Sequence, residues 1–117
     1  MKIEFEQGTI TIQANADDWG PFNFNFEDAL PSGFALVGCT ITSYLGRVKP
    51  GDDVADFTET TSELINTTSV ASDTTATVTF DTPTTPAWID ASHSLVFDFT
   101  ITGGGTHSAY YYRVKVI

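Results

Sequence analysis

At 117 residues the chain has the size of one domain, long enough to close a single hydrophobic core and too short for two. An apolar fraction of 41% with 13% aromatics excludes a disordered polyelectrolyte, and no run approaches the roughly 18 apolar residues of a membrane-spanning helix. A net charge of −10 excludes the usual footprint of a nucleic-acid or anionic-membrane binder, because the five bases Lys2, Arg47, Lys49, Arg113 and Lys115 form no run.

In chain order, nearly every apolar cluster repeats with period two, the signature of half-buried strands. Ile3 with Phe5, and Ile10 with Ile12, predict a short strand pair around Gly8, so residues 1–19 read as an N-terminal pair or arm. Phe22, Phe24 and Phe26 mark a strand with Asn23 and Asn25 outward. Residues 34–44 form a long strand with Ala35, Val37, Cys39 and Ile41 on one side, extended over 45–48 to a turn at Pro50-Gly51. Residues 54–57 and 63–66 suggest short edge strands. Residues 75–80 alternate Ala76, Val78 and Phe80 against threonines, whose branched carbons suit a pleated, half-exposed surface. Pro83 and Pro86 then break the chain, and Trp88-Ile89 tucks the loop against the core.

The strongest pair comes last. Over 94–101, Leu95, Phe97, Phe99 and Ile101 share one face. After the flexible Gly103-Gly104-Gly105 turn, residues 110–117 place Tyr110, Tyr112, Val114 and Val116 on one side and Tyr111, Arg113 and Lys115 on the other. The predicted core joins Ala76, Val78, Phe80, Leu95, Phe97, Phe99, Ile101, Tyr112 and Val114. About seven to nine short antiparallel strands predict an all-β, immunoglobulin-like sandwich spanning 1–117 as one domain, with a small up-and-down barrel as the structural alternative.

Candidate chemistry is sparse. Cys39, the sole cysteine, closes no intrachain disulfide and sits among alternating core residues, which predicts an inert thiol. His93 and His107 fall near loop ends and read as exposed loop histidines, because neither has an evident nucleophile and orienting acid. Asp52, Asp53 and Asp56 follow the Pro50-Gly51 turn and Asp17-Asp18 precede Trp19. Both groups read as turn acids, with a weak calcium site as the alternative. Trp19, Trp88 and Tyr111 are the candidates for an aromatic platform. No catalytic, cofactor or metal-ligating residue is assigned, and the chain reads as non-enzymatic with no cofactor. The opening residues carry no complete secretory leader, since Glu4 and Glu6 interrupt the apolar stretch. With the lone cysteine, this predicts a protein that folds in the cytoplasm, the alternative being a leader that precedes these residues.

Six segments share an order with a known family. They are the aromatic strand 22–26 with Asp28, Leu30-Pro31-Ser32-Gly33, Cys39-Thr40-Ile41-Thr42, Thr75-Ala76-Thr77-Val78, residues 96–101, and Arg113-Val114-Lys115-Val116. Over roughly residues 20–117 the chain resembles the small immunoglobulin-like structural and accessory proteins of tailed bacteriophages and prophages. It departs from them where Asp81-Thr82-Pro83 and Leu95-Val96-Phe97 stand in place of a Gly-Gly pair and a leading Tyr. The resemblance implies a virion component made in the bacterial cytoplasm. Its partners would be tail or capsid proteins met by protein–protein contact, or further copies of itself on the particle, and it transfers no catalytic residues. The alternative is an adhesion or carbohydrate-binding module of a larger secreted or surface protein, suggested by Thr richness and surface aromatics.

Overall fold

Apolar alternation becomes eight strands in a computed structural model that describes residues 2–4, 9–13, 19–28, 35–103 and 105–117. They are β1 (Lys2–Glu4), β2 (Ile10–Ile12), β3 (Trp19–Asn25), β4 (Leu36–Leu45), β5 (Ile65–Ser72), β6 (Thr75–Phe80), β7 (Ala91–Ile101) and β8 (Thr106–Val116). One sheet has the order β4-β7-β8, with both β1 and β2 along the outer edge of β8. The other has the order β3-β6-β5. The two pack face to face as a sandwich, which bears out the all-β prediction at that level.

Rings from both sheets interleave between them. Phe24 lies 4.9 Å from Phe97 and 5.2 Å from Tyr111, while Phe26 lies 5.5 Å from Phe97 and 5.0 Å from Phe99, centroid to centroid. Tilted and edge-on pairs of this kind add about 0.5–1.5 kcal/mol each beyond their buried area. Ala76, Val78, Phe80, Leu95, Phe97, Phe99, Ile101 and Val114 are buried as predicted. Asn23 and Asn25 face outward, and the β7–β8 hairpin forms around Gly103 and Gly105.

The departures have physical causes. In β8 the expected alternation inverts halfway. His93 pairs with Val114 and Leu95 with Tyr111, so Ser94 alone stands opposite Tyr112 and Arg113. One extra residue on β8 is a β-bulge, and it reverses the inward and outward sets on its two sides. Ala109 and Tyr111 therefore point inward with Val114 and Val116, and all four are fully buried. Tyr112 leaves the core and is half-buried on the outer face, contrary to the prediction. A second bulge between Leu36 and Gly38 turns Leu36 inward and leaves Val37, expected in the core, 67% exposed.

β1 and β2 do not pair with each other. Each runs parallel to β8, Lys2–Glu4 beside Ser108 to Tyr110 and Ile10–Ile12 beside Val114 to Val116, so the strands are not all antiparallel. Residues 54–56 form a 3-10 turn and 61–64 a single α-turn, α1 (Thr61–Leu64), so of the strands expected at 54–57 and 63–66 only residues 65 and 66 are extended, as the start of β5. Phe5, Gly8, Asp17, Asp18, residues 30–34 and Gly104, all used in the predictions, lie outside the described residues.

The segment after β4 folds over the outer face of the larger sheet. Val48, Val96 and Tyr110 form a small second cluster there, with Tyr44 and Phe57 against it. This is why Val96, on the outward side of β7, is 4% exposed. In β3, Gly20 has φ +126°, and a Cβ there would come within 2.9 Å of the Val78 carbonyl oxygen, so glycine is required at that bulge.

Candidate functional site

His93, expected on an exposed loop, is fully buried at the end of the core. β7 begins two residues earlier, so its ring enters the sandwich instead of leaving it. Nε2 lies 2.9 Å from the Trp88 carbonyl oxygen and Nδ1 3.1 Å from Thr60 Oγ1, which is in turn 2.7 Å from Ser43 Oγ. A carbonyl only accepts, so Nε2 carries the proton and Nδ1 accepts from Thr60, which accepts from Ser43. Every hydrogen-bonding position of the imidazole is used. The chain of bonds ties β4, the segment before α1, β7 and the 3-10 turn Pro86–Trp88 together. It resembles a Ser–His relay in composition only, since its hydroxyls are buried and point at one another.

Burial pushes the His93 pKa below its ordinary value, with the Trp88 carbonyl opposing in part. Nearby, Glu63 is held at about 2 by hydrogen bonds from the hydroxyls and backbone N–H groups of Thr85 and Thr84, at 2.6–3.0 Å. The unfolded chain binds more protons than the native one at both groups, so both destabilise on acidification. The His93 contribution is complete above about pH 6.5 and is lost as pH falls toward its depressed folded value. The Glu63 contribution is lost between about pH 4.5 and pH 2. The expected melting curve therefore falls in two acid segments. His93→Gln, which can still bridge Thr60 and Trp88, should lower the melting temperature near neutrality and erase the upper segment alone. Parallel pH profiles for the two proteins would show that His93 is not the upper group.

Cys39 packs against the core, and burial together with the Asp98 charge raises its thiol to about 11. It stays protonated at neutral pH and is a poor nucleophile, as predicted. His107 is stacked on Phe99, 5.8 Å between centroids, and half-buried instead of exposed. Phe99 pairs with Cys39 on one side and His107 on the other, so cysteine and histidine are two strands apart, roughly 10 Å.

The acidic turn is held by its own side chains. Asp52 Oδ2 accepts from the Lys49 N–H at 2.9 Å, and Asp53 Oδ1 caps the 3-10 turn through the Ala55 N–H at 3.0 Å. Among the described residues no three His, Cys, Asp or Glu side chains converge on a point that could hold a metal ion.

Tyr111, expected as the exposed ring of a sugar platform, is fully buried, and its hydroxyl donates to the Arg113 carbonyl at 3.1 Å. The ring that reaches the surface is Tyr112. Gly46 N–H donates to the Ser92 carbonyl at 2.8 Å and Val48 N–H to Ser94 Oγ at 2.9 Å, strapping both neighbours of Arg47 to β7. Arg47 consequently lies over Tyr112, its guanidinium carbon 4.0 Å from the ring centroid. Arg113, on the outer face that the bulge also gives to Tyr112, donates from a terminal nitrogen to the Tyr112 hydroxyl at 3.0 Å. Thr9, Arg47, Ser92, Tyr112, Arg113 and Lys115 line a surface hollow of about 390 Å³.

Sequence reasoning missed this hollow. Arg113 and Lys115 share a face by simple alternation, but Arg47 lies far from them in the chain, and the bulge that turns Tyr112 to the same face leaves no local signal. Compared with known proteins, the chain matches no family model, no curated protein and no solved structure.

Proposed function

We propose that this chain is a non-enzymatic, immunoglobulin-like component of a tailed-phage or prophage particle, acting through protein–protein contact. The observation that carries the docking role is the edge of the smaller sheet at β5, beside the start of β4. Among the described residues β5 pairs with β6 alone, and residues 65–72 contain neither a charge nor a proline, the usual devices that discourage edge pairing. Val70 on β5 is 39% exposed and Val37 on β4 67% exposed, and the Leu36 N–H to Asp73 carbonyl bond links that end of the two strands. Such a flank suits addition of a strand from another particle protein, whose backbone supplies the hydrogen bonds.

Connectivity supports the immunoglobulin-like part. The order β8-β7-β4 opposite β3-β6-β5 corresponds to the G-F-C and B-E-D strands of a constant-type domain, with the first strand split along β8 instead of joining β3. The sequence resemblance supports the particle as its setting. Mass spectrometry of particles purified from an induced lysogen of the source strain is expected to find the chain. Val37→Lys with Val70→Lys should reduce its incorporation with only a small change in melting temperature, because Val37 is mostly and Val70 partly in water. Particles that assemble and infect normally without any trace of the chain would rule the reading out.

A further inference from the structure

Among the described residues, three of the four sheet edges in this sandwich carry a device that discourages pairing with a further strand. The edge beyond β8 is closed by two three-residue strands, one of them bearing Lys2 and Glu4. β3 carries Pro21, which has no N–H to give to a ladder. β4 is bulged at its start and crossed at its end by residues 58–60, where the Leu45 N–H donates to the Thr58 carbonyl and the Thr60 N–H to the Ser43 carbonyl, each at 2.8 Å. β5 is the exception. Between its two bulges, residues 67–70 run in unbroken register with residues 76–79 of β6. Thr67, Thr68, Ser69 and Val70 are all exposed, although successive side chains point to opposite faces, so this stretch is open on both faces and along one edge.

We infer that β5 pairs antiparallel with β5 of a second copy of this chain, joining the two three-stranded sheets into one continuous sheet. The inference rests on the reading of β5 as the docking edge and names the strand that docks there. Charge selects this surface for self-association. Two copies at −10 each repel one another, but none of the chain's charged residues lies in β3, β5 or β6. Pairing at β5 therefore sets no like charges directly opposite, an arrangement that destabilises antiparallel strands. The strand also complements itself. A two-fold axis perpendicular to the sheet near Thr68 and Ser69 brings threonine and serine hydroxyls opposite one another, pairs that favour antiparallel strands, and lays the neighbouring strand against the 39% exposed Val70. Such a contact is isologous and closes at a dimer, since the far edge of the smaller sheet carries Pro21. The regular stretch is short, so the dimer is weak in solution and gains strength where many copies are held on one particle.

The test is sedimentation equilibrium of the full chain at several salt concentrations. A monomer–dimer equilibrium with a dissociation constant of about 1 mM or tighter is expected. It should tighten as added salt shortens the Debye length from roughly 30 Å to roughly 8 Å, because screening relieves repulsion between the acidic copies. Ser69→Lys and Ser69→Glu, at an exposed position beside the axis, should each melt as the wild type does and weaken dimerisation about tenfold or more. An equimolar mixture of the two should recover the dimer, because opposite charges then face one another across the axis. Ser69→Lys also brings each copy nearer neutrality, so its weakening separates local pairing from net charge. Thr106→Lys, at an exposed position on the larger sheet, should not weaken the dimer. A wild-type chain that stays monomeric at every salt concentration would overturn the inference, as would equal weakening by Thr106→Lys or dimers that both Ser69 variants leave intact. Particle incorporation is scored separately. A chain found in particles but monomeric in solution loses the self-pairing and keeps the docking role, whereas a chain that dimerises but is absent from particles keeps the self-pairing and loses the particle setting.

Discussion

Phe97→Asp is expected to leave no folded protein. Phe97 is fully buried, between the rings of Phe24 at 4.9 Å and Phe26 at 5.5 Å, and it pairs with Ile41 and Ala109 on its two neighbouring strands. Removing a buried Phe ring costs about 3–5 kcal/mol. Placing an unpaired carboxyl in the same space costs several kcal/mol more, whether the group ionises or stays protonated. A domain of this size is stable by roughly 5–15 kcal/mol in total, so the two costs together approach or exceed it. Loss of the cooperative thermal transition by circular dichroism is the expected result. An unchanged melting curve would show that this face of β7 does not meet the opposite sheet.

The second large effect separates two adjacent tyrosines. Tyr111→Ala removes a fully buried ring, its edge-on contact with Phe24 and its hydrogen bond to the Arg113 carbonyl. A loss of about 3–5 kcal/mol is expected, or roughly 10–20 °C in melting temperature for a domain of this length. Tyr112→Ala removes a half-buried ring whose main partners are the guanidinium groups of Arg47 and Arg113. It should cost about 0.5–1 kcal/mol, the range of a cation–π contact near solvent. Simple alternation along residues 110–117 demands the opposite order. Thermal melts of the two variants therefore test the β8 bulge itself, and a larger loss for Tyr112→Ala would rule the bulge out.

The interior and the surface of this sandwich divide its polar groups differently. Inside, Ser43, Thr60 and His93 satisfy one another and close one end of the core. Outside, three bases are brought together around Tyr112, and Val37 and Val70 are exposed on the β4–β5 flank. A docked strand at that flank would require no rearrangement of the aromatic core.

Much of the core was legible in the chain itself. Phe24 with Phe26, Ala76 with Val78 and Phe80, and Leu95 through Ile101 obey period two without interruption, and each set is buried where alternation places it. That works because a strand side chain can only point to one face or the other, and one of those faces must leave water. Where a strand gains one residue relative to its partner, the rule inverts, and the count is set by the pairing partner instead of by local composition. Val37 and Tyr111 were assigned to the wrong faces for that reason. His93 was misplaced because the start of β7 depends on its pairing with both neighbours, which carries the strand past the point where the alternating residues begin. The approach of Arg47 to Tyr112, of Arg113 to the same ring, and of β1 and β2 to one edge of β8 are products of long-range register. Alternating hydrophobicity by itself determined that this chain is a β-sandwich with an aromatic centre. Only tertiary pairing decided which side chains that sandwich hides and which it presents, because burial of a strand face is enforced jointly by two sheets and a single extra residue exchanges the faces.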